Sequence, residues 1–311
     1  MRNLPDTFVQ FMIEIYGTRG AAWVAELPQL VAACAARWHL HVHDPFPVLS
    51  YNFAAPATDE NGRFLVLKIG IPNKELLTEI AALRCYDGQG ICQLYAADPQ
   101  WGALLIERLR PGTMLLAEED DAAATAVAAQ VMQQVWRPLS AEQAAPFPTV
   151  HAWANGLSKL RATFAGGVGP FPPKLVETAE SLFRDLLASM DEPLLLHGDL
   201  HHYNILQAAQ TARPVPQPWL AIDPKGVIGE PAYEVGAFMR NPLDLAQWPD
   251  LRRVLARRAA IFAEQLGLER QRIIGWSLAQ AVLSAWWSYE DSKQMAHNTL
   301  TIAQALAELL P

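Results

Sequence analysis

The sequence predicts an α+β protein of two unequal lobes, a small strand-rich one followed by a larger, mainly helical one. Three observations predict it. Short apolar strand candidates cluster before residue 108, helical spacing of apolar residues dominates after it, and a polar run from His197 to Asn204 sits inside a small β insert of the helical part. The small lobe is expected over 1–108, as a helical extension over 1–45 and a sheet over 46–108, and the large lobe over 109–311.

Each element follows from local chemistry. Residues 6–38 carry helical patterning with a break near Gly17–Gly20. Segments 46–55 and 63–70 read as strands around the turn Asp59-Glu60-Asn61-Gly62. Pro72 and Asn73 open a helix that Asp87-Gly88 ends, and strands follow near 91–96 and 102–107. The connector Arg108-Leu109-Arg110-Pro111-Gly112 leads into the helical part. There Ala124, Val127, Ala128, Val131 and Val135 mark one buried face of a helix over 121–136. A helix over 172–190 precedes strands at 194–197, 204–207 and 218–222, with the proline-rich stretch 211–218 as a surface turn. Helical pattern resumes near 231. The first forty residues would either cap the small lobe or meet a second copy of the chain.

Composition narrows the function. The chain has 311 residues, 51% hydrophobic and 18% charged, with mean hydropathy +0.06, as expected of a globular protein with a sizeable core. A net charge of −8 argues against nucleic acid or an anionic membrane as partner. No run of apolar residues reaches membrane-spanning length. Cys34, Cys85 and Cys92 form neither a disulfide framework nor a metal pair, and a reducing cytoplasm is the expected setting. His39, His41 and His43 alternate on one face but lack further ligands at suitable spacing, so they read as surface or packing histidines.

The chemistry lies in His197-Gly198-Asp199-Leu200-His201-His202-Tyr203-Asn204 and in Asp223, which ends the strand candidate Trp219-Leu220-Ala221-Ile222. Phosphoryl transfer needs a carboxylate for the attacking hydroxyl, oxygen ligands for Mg²⁺ and a lysine on the phosphates. Asp199 fits the first role, Asn204 and Asp223 the second, and Lys68, alone on an apolar strand, the third. Lys68 needs an acidic partner; Glu75 and Glu79 share a face of the next helix. Separately, these residues also suit blander roles: a capped turn for Asp199 and Asn204, an edge-strand lysine for Lys68. Their order along the chain favours the joint reading. Glu234 is placed to accept hydrogen bonds from the 197–204 loop, or to sit at a helix N-terminus.

HGDLHHYNIL and WLAIDPKGVIGEPAYEVGAFMRNP, with VLKI at 66–69, TEIAALRCYDGQG at 78–90 and LLIERLRPG at 104–112, resemble the aminoglycoside and hydroxyurea antibiotic-resistance kinases, among them the streptomycin 6-phosphotransferases. The resemblance spans about 46–245. It implies a protein-kinase-like fold and an ATP- and Mg²⁺-dependent transfer to a hydroxyl of a small molecule such as an aminoglycoside. Asp199 would then be the base, Asn204 and Asp223 the metal ligands, Lys68 the phosphate contact and Glu79 its partner. The hinge from Glu107 to Leu109 would hold adenine through backbone groups. Gly198 replaces the arginine of protein kinases, and only a short segment separates Asp223 from Glu230-Pro231, so no protein substrate is expected. The turn near Leu49–Ala54 lacks the glycine-rich phosphate grip, leaving Ser50 or Asn52 for that task. His202, Asp244, Trp287 and Glu290 are the acceptor-site candidates, since aromatics and acids suit a cationic or sugar-like acceptor. A metabolite such as an amino alcohol or sugar is the alternative acceptor, and a non-catalytic nucleotide sensor the alternative role.

Overall fold

Period-two alternation in Phe64-Leu65-Val66-Leu67-Lys68-Ile69 decides the layering of the small lobe. The structure is a computed structural model and describes residues 4–209 and 218–311. A long helix α1 (Asp6–Arg37) precedes strands β1 (Leu40–Val42), β2 (Phe53–Asp59) and β3 (Phe64–Ile69). Helix α2 (Lys74–Tyr86) then leads to β4 (Leu94–Asp98) and β5 (Ala103–Glu107). The strands lie in the order β1-β2-β3-β5-β4, every neighbour antiparallel. Leu67 and Ile69, with Phe53 and Ala55 of β2, pack under Phe8, Met12, Trp23, Leu27 and Val31 of α1. Lys68 therefore emerges on the opposite face, where α2 lies. The first forty residues thus cap the small lobe's sheet.

The break in α1 falls at Gly17, whose φ of 58° and ψ of −134° suit only glycine. The strand expected over 46–55 begins instead at Phe53, and β1, inside the expected helical extension, was not foreseen as part of the sheet. Pro56 lies inside β2 all the same. Proline has no N–H to give a sheet, yet here it lies just past the last β1 partner, Ala57, where its carbonyl accepts from His43 N at 2.9 Å. Helix α2 is bounded as its sequence demands. Asn73 caps it by accepting from Leu76 N at 2.8 Å, and Asp87 closes it in the left-handed region.

The large lobe runs through α3 (Asp121–Val135), α4 (Ala141–Ala144), α5 (Val150–Thr163) and α6 (Pro173–Ala188) to β6 (Leu194–Leu196) and β7 (Ile205–Gln207). It continues through β8 (Trp219–Ala221), β9 (Val227–Gly229), α7 (Pro231–Met239), α8 (Leu251–Leu266), α9 (Arg270–Ser292) and α10 (His297–Ala307). The chain from Ile273 to Leu283 in α9 is buried all round, because α5, α6, α7, α8 and α10 all pack against it. β6 pairs with β9 and β7 with β8, two short ladders that leave 197–204 and 222–226 side by side between them. β9 was not foreseen. Of the proline-rich stretch read as a turn, residues 211–217 lie outside the described residues. No helix among the described residues is long and apolar enough to cross a membrane.

The lobes are joined by more than the connector at 108–112. Gly90 O accepts from Ala221 N and Ala221 O from Cys92 N, both at 2.9 Å, so the segment after α2 is tied to β8. Gly90 has φ +73°, and a Cβ there would stand 2.7 Å from Gln134 Cβ. Within the large lobe, Arg258 of α8 is wholly buried. Its Nε bonds Asp121 Oδ1 at 2.8 Å and its Nη1 bonds Asn241 O at 2.6 Å, linking α3, α8 and the end of α7. Asp121→Ala strands that guanidinium, and a loss of about 3–5 kcal/mol is expected. Chemical denaturation should show it as a lower midpoint at unchanged slope.

Candidate active site

Lys68, Glu79 and Asp223 meet at the junction of the lobes. Lys68 Nζ lies 2.6 Å from Glu79 Oε1 and 3.1 Å from Asp223 Oδ1. Burial opposes the lysine's charge, but Asp223 and Glu79 outweigh it and hold the ammonium above its ordinary range. Between the two acidic residues of α2, it is Glu79 that takes Lys68. Glu75, one turn earlier, contacts Lys225 instead. Asp223 has φ +58°, a conformation that Asp tolerates better than most residues.

The 197–204 loop is held from within. Glu234, wholly buried on α7, accepts from His197 N at 2.6 Å and Gly198 N at 2.9 Å. Burial pushes its carboxyl up to about 7, against the pull of those amides. His197 Nε2 lies 2.8 Å from Ile222 O, while Nδ1 accepts from Asp199 N at 3.2 Å. The ring is therefore the neutral Nε2–H tautomer, and burial holds its pKa down at about 4. His197 O accepts from Lys225 N and Gly226 N, at 2.9 and 3.1 Å, and Asn204 O accepts from Ile222 N at 2.9 Å. These bonds fix the two loops in register. Gly198 has φ +85°, and a Cβ there would meet Trp153 and Val227 at 3.0 Å. That crowding excludes the arginine protein kinases carry at this position.

Asp199 and Asn204 sit together: Asn204 Nδ2 donates to Asp199 O at 3.0 Å. Asp199 Oδ1 accepts from Arg240 Nη2 at 3.0 Å, and its Oδ2 lies 3.7 Å from His201 Nε2. Burial would raise the Asp199 carboxyl, but His201 and Arg240 hold it well below the usual carboxylate range. Arg240 is itself steadied by Gln280 Oε1 at 2.7 Å. Burial, then Lys68 and Arg240, bring Lys225 down to about 8. Arg240, Lys225, Gln280 and Trp153 were not among the sequence-derived candidates. Lys225 alone carried a local signal, as a lysine two residues past Asp223.

The remaining candidates are scattered. Ser50 is exposed in the 43–52 loop between β1 and β2, and Asn52 is packed against Gly70. Glu107 is buried at the end of β5, its Oε2 accepting from Gln93 N at 3.1 Å, and Leu109 is buried in the large core. Trp287 packs edge-on against Trp153 at 5.5 Å, one ring removed from Gly198. Glu290 is half-buried near the end of α9, and Asp244 is exposed and bonded to Trp248 Nε1 at 3.2 Å. His202, expected at the acceptor, is instead buried and stacked on Phe238 at 3.9 Å, so its place is in the large-lobe core.

Comparison with known proteins meets this geometry from outside. Residues 37–292 match the family described as aminoglycoside/hydroxyurea antibiotic resistance kinase. The chain belongs to that family. It is an ATP-dependent small-molecule kinase of two-lobed, protein-kinase-like fold. A streptomycin 6-kinase from Streptomyces glaucescens is 29% identical, over 98% of this chain and 97% of that one. A hydroxyurea phosphotransferase from Kitasatospora aureofaciens is 29% identical, over 98% and 86%. A choline/ethanolamine kinase family protein from Mesorhizobium loti shares the fold at TM-score 0.63 and 15% identity, over 92% of this chain and 95% of that one. The likeness extends well outside the motif-bearing stretch at 46–245.

Two buried histidines give this kinase an acid-side weakness. Burial holds His197 at about 4 and His202 at about 2, whereas unfolded histidine protonates near ~6.5. The unfolded chain therefore takes up protons that the folded chain refuses. Their contribution to stability is complete above ~6.5 and is lost as pH falls toward those values. His202→Phe keeps the stack on Phe238 and removes one such group. Thermal melts from pH 7 to 4.5 should fall less steeply in the variant, by roughly 2–4 °C at the acid end; parallel curves would contradict this.

Proposed function

We propose that this cleft transfers the γ-phosphoryl group of Mg-ATP to a hydroxyl of an aminoglycoside-type antibiotic, with streptomycin as the leading acceptor. The observation that carries the reading is the convergence of Lys68, Asp223, Asn204 and Asp199 on one cleft, each on the element the chemistry requires. Asp199, kept ionised by His201 and Arg240, orients the acceptor hydroxyl and takes its proton. The bond from γ-phosphorus to the bridging oxygen breaks as the bond to the acceptor oxygen forms, and ADP leaves.

Asn204 and Asp223 would hold Mg²⁺, and the donor set fits it, since both offer hard oxygen ligands. Asp223 uses Oδ1 on Lys68 and remains partly exposed, while Asn204 turns its nitrogen toward Asp199 O, which leaves its carbonyl oxygen facing the other way. When bound, the ion neutralises charge on the phosphate oxygens. Lys68 serves the inner phosphates, and Glu79 keeps it aimed. At the hinge, Glu107 N and Arg108 N are already donated to Gln93 O and Phe64 O, at 2.8 and 3.2 Å. We therefore assign the N–H that donates to adenine to the backbone of Leu109.

Support for the acceptor comes from the relatives and from the large-lobe wall. Trp153 and Trp287 form an aromatic surface beside Gly198. Glu290 and Asp291 follow Trp287 at the end of α9. Aromatic rings beside carboxylates suit a polycation.

The test is mass spectrometry of a panel of aminoglycosides, hydroxyurea, amino alcohols and sugars incubated with Mg-ATP and the protein. Streptomycin should gain one phosphate. Asp199→Asn should slow that by about 10²–10⁴-fold while ATP still binds. Equal turnover in the variant contradicts the role of Asp199. A product on an amino alcohol or sugar alone keeps the chemistry and replaces the acceptor.

A further inference from the structure

Two lysine–glutamate pairs hang from one face of α2, and they differ in kind. Lys68 and Glu79 are buried, with side-chain exposures of 7% and 9%. Lys225 and Glu75, in contact across the cleft between the large-lobe loop and the first turn of α2, are exposed to 40% and 56%. The first pair is a fixed part of the site. The second is partly exposed at Lys225 and mostly exposed at Glu75, so it is held more weakly and is open to exchange.

Lys225 is also held where a phosphate would want it. Its backbone N donates to His197 O at 2.9 Å, and Pro224 fixes the chain between it and Asp223. Its Cβ lies 3.3 Å from the position a Cβ on Gly198 would take, so the side chain leaves the backbone beside Asp199. Lys68 and Arg240 are the like charges that act on it. Three cations are thus gathered around one opening, and only Lys225 is balanced by a carboxylate that lies on the other lobe and is more than half exposed. An entering anion can take the place of that carboxylate on Lys225 without leaving a buried charge unpaired.

Resting on the kinase reading above, we propose that Lys225 is the cation that meets the transferred phosphoryl group, and that Glu75 is its resting partner, displaced when the γ-phosphate arrives. Lys68 then serves the inner phosphates and Lys225 the outer one. The exchange also makes Glu75 a competitor of ATP, since both claim the same ammonium.

That competition separates the proposal from a merely structural latch between lobes. A latch is broken equally from either end, so Lys225→Met and Glu75→Gln would shift nucleotide affinity in the same direction. Exchange predicts opposite directions. Calorimetric titration of the full chain with ATP and with ADP, both in excess Mg²⁺, reads the difference. Lys225→Met should weaken ATP about tenfold, the loss of one charge-assisted contact, and leave ADP within about twofold. Glu75→Gln should tighten ATP and leave ADP alone. Lys225→Arg should recover part of the lost ATP affinity and turnover. ADP binding shows in each case that the variant is folded. Equal weakening of ATP and ADP in Lys225→Met, or weakening of ATP in Glu75→Gln to match, overturns the proposal and leaves the kinase reading intact. Failure of the unaltered chain to bind Mg-ATP removes both.

Discussion

One ammonium buried between carboxylates from two lobes sets the geometry of this protein. Lys68 is the centre: Glu79 reaches it from α2 and Asp223 from the large lobe. Removing a charge from water is expensive, and a buried ion pair holds only where its geometry is good and both partners are present. The sequence around Lys68 meets that demand at each step. Alternation along β3 sends Lys68 to the face away from α1, and the Asn73 cap fixes where α2 starts and therefore where Glu79 falls. The bonds from Gly90 and Cys92 to Ala221 seat β8, and with it Asp223, against the small lobe. A second buried acidic group, Glu234, does the same for the neighbouring loop by collecting the amides of His197 and Gly198.

What was legible beforehand was local. Asn73 with Asp87-Gly88 marks a helix, and the apolar spacing from Ala124 to Val135 marks another. The run from His197 to Asn204, with Asp223 after a strand, carries its chemistry in its spacing. The residues that escaped are those whose role is created by distance in the chain. Arg240 lies 41 positions from Asp199, and Gln280 lies 40 from Arg240. No pattern of neighbours marks either. Pro56 is tolerated inside β2 because the short β1 pairs no further than Ala57 and asks for no N–H there. β9 follows Gly226 and ends on Gly229, so only Val227 and Ile228 are left to mark a strand. His202 misled because histidine in a catalytic loop suggests contact with substrate, whereas stacking on Phe238 placed it in the core.

The two lysines of the cleft show how one fold separates permanence from exchange. Burial makes the Lys68 pair a structural fixture, while the exposed Glu75 leaves the partly buried Lys225 able to change partners. The distinction depends on depth rather than on residue type, since both pairs are Lys with Glu and both glutamates stand on α2. The same principle divides the large lobe. Arg258, sealed by Asp121 and backbone carbonyls, holds helices together. Arg240, anchored at one end by Gln280, presents its other nitrogen to Asp199.

The central claim is that Asp223, positioned by Lys68, couples the nucleotide to a divalent cation. Titrating ATP into the protein with and without Mg²⁺, for the unaltered chain and for Asp223→Asn, tests it directly. The account predicts that Mg²⁺ tightens ATP binding by about tenfold or more in the unaltered chain, one charge-assisted interaction's worth, and that the variant loses most of this gain. An equal gain from Mg²⁺ in both proteins, or no gain in either, would contradict it.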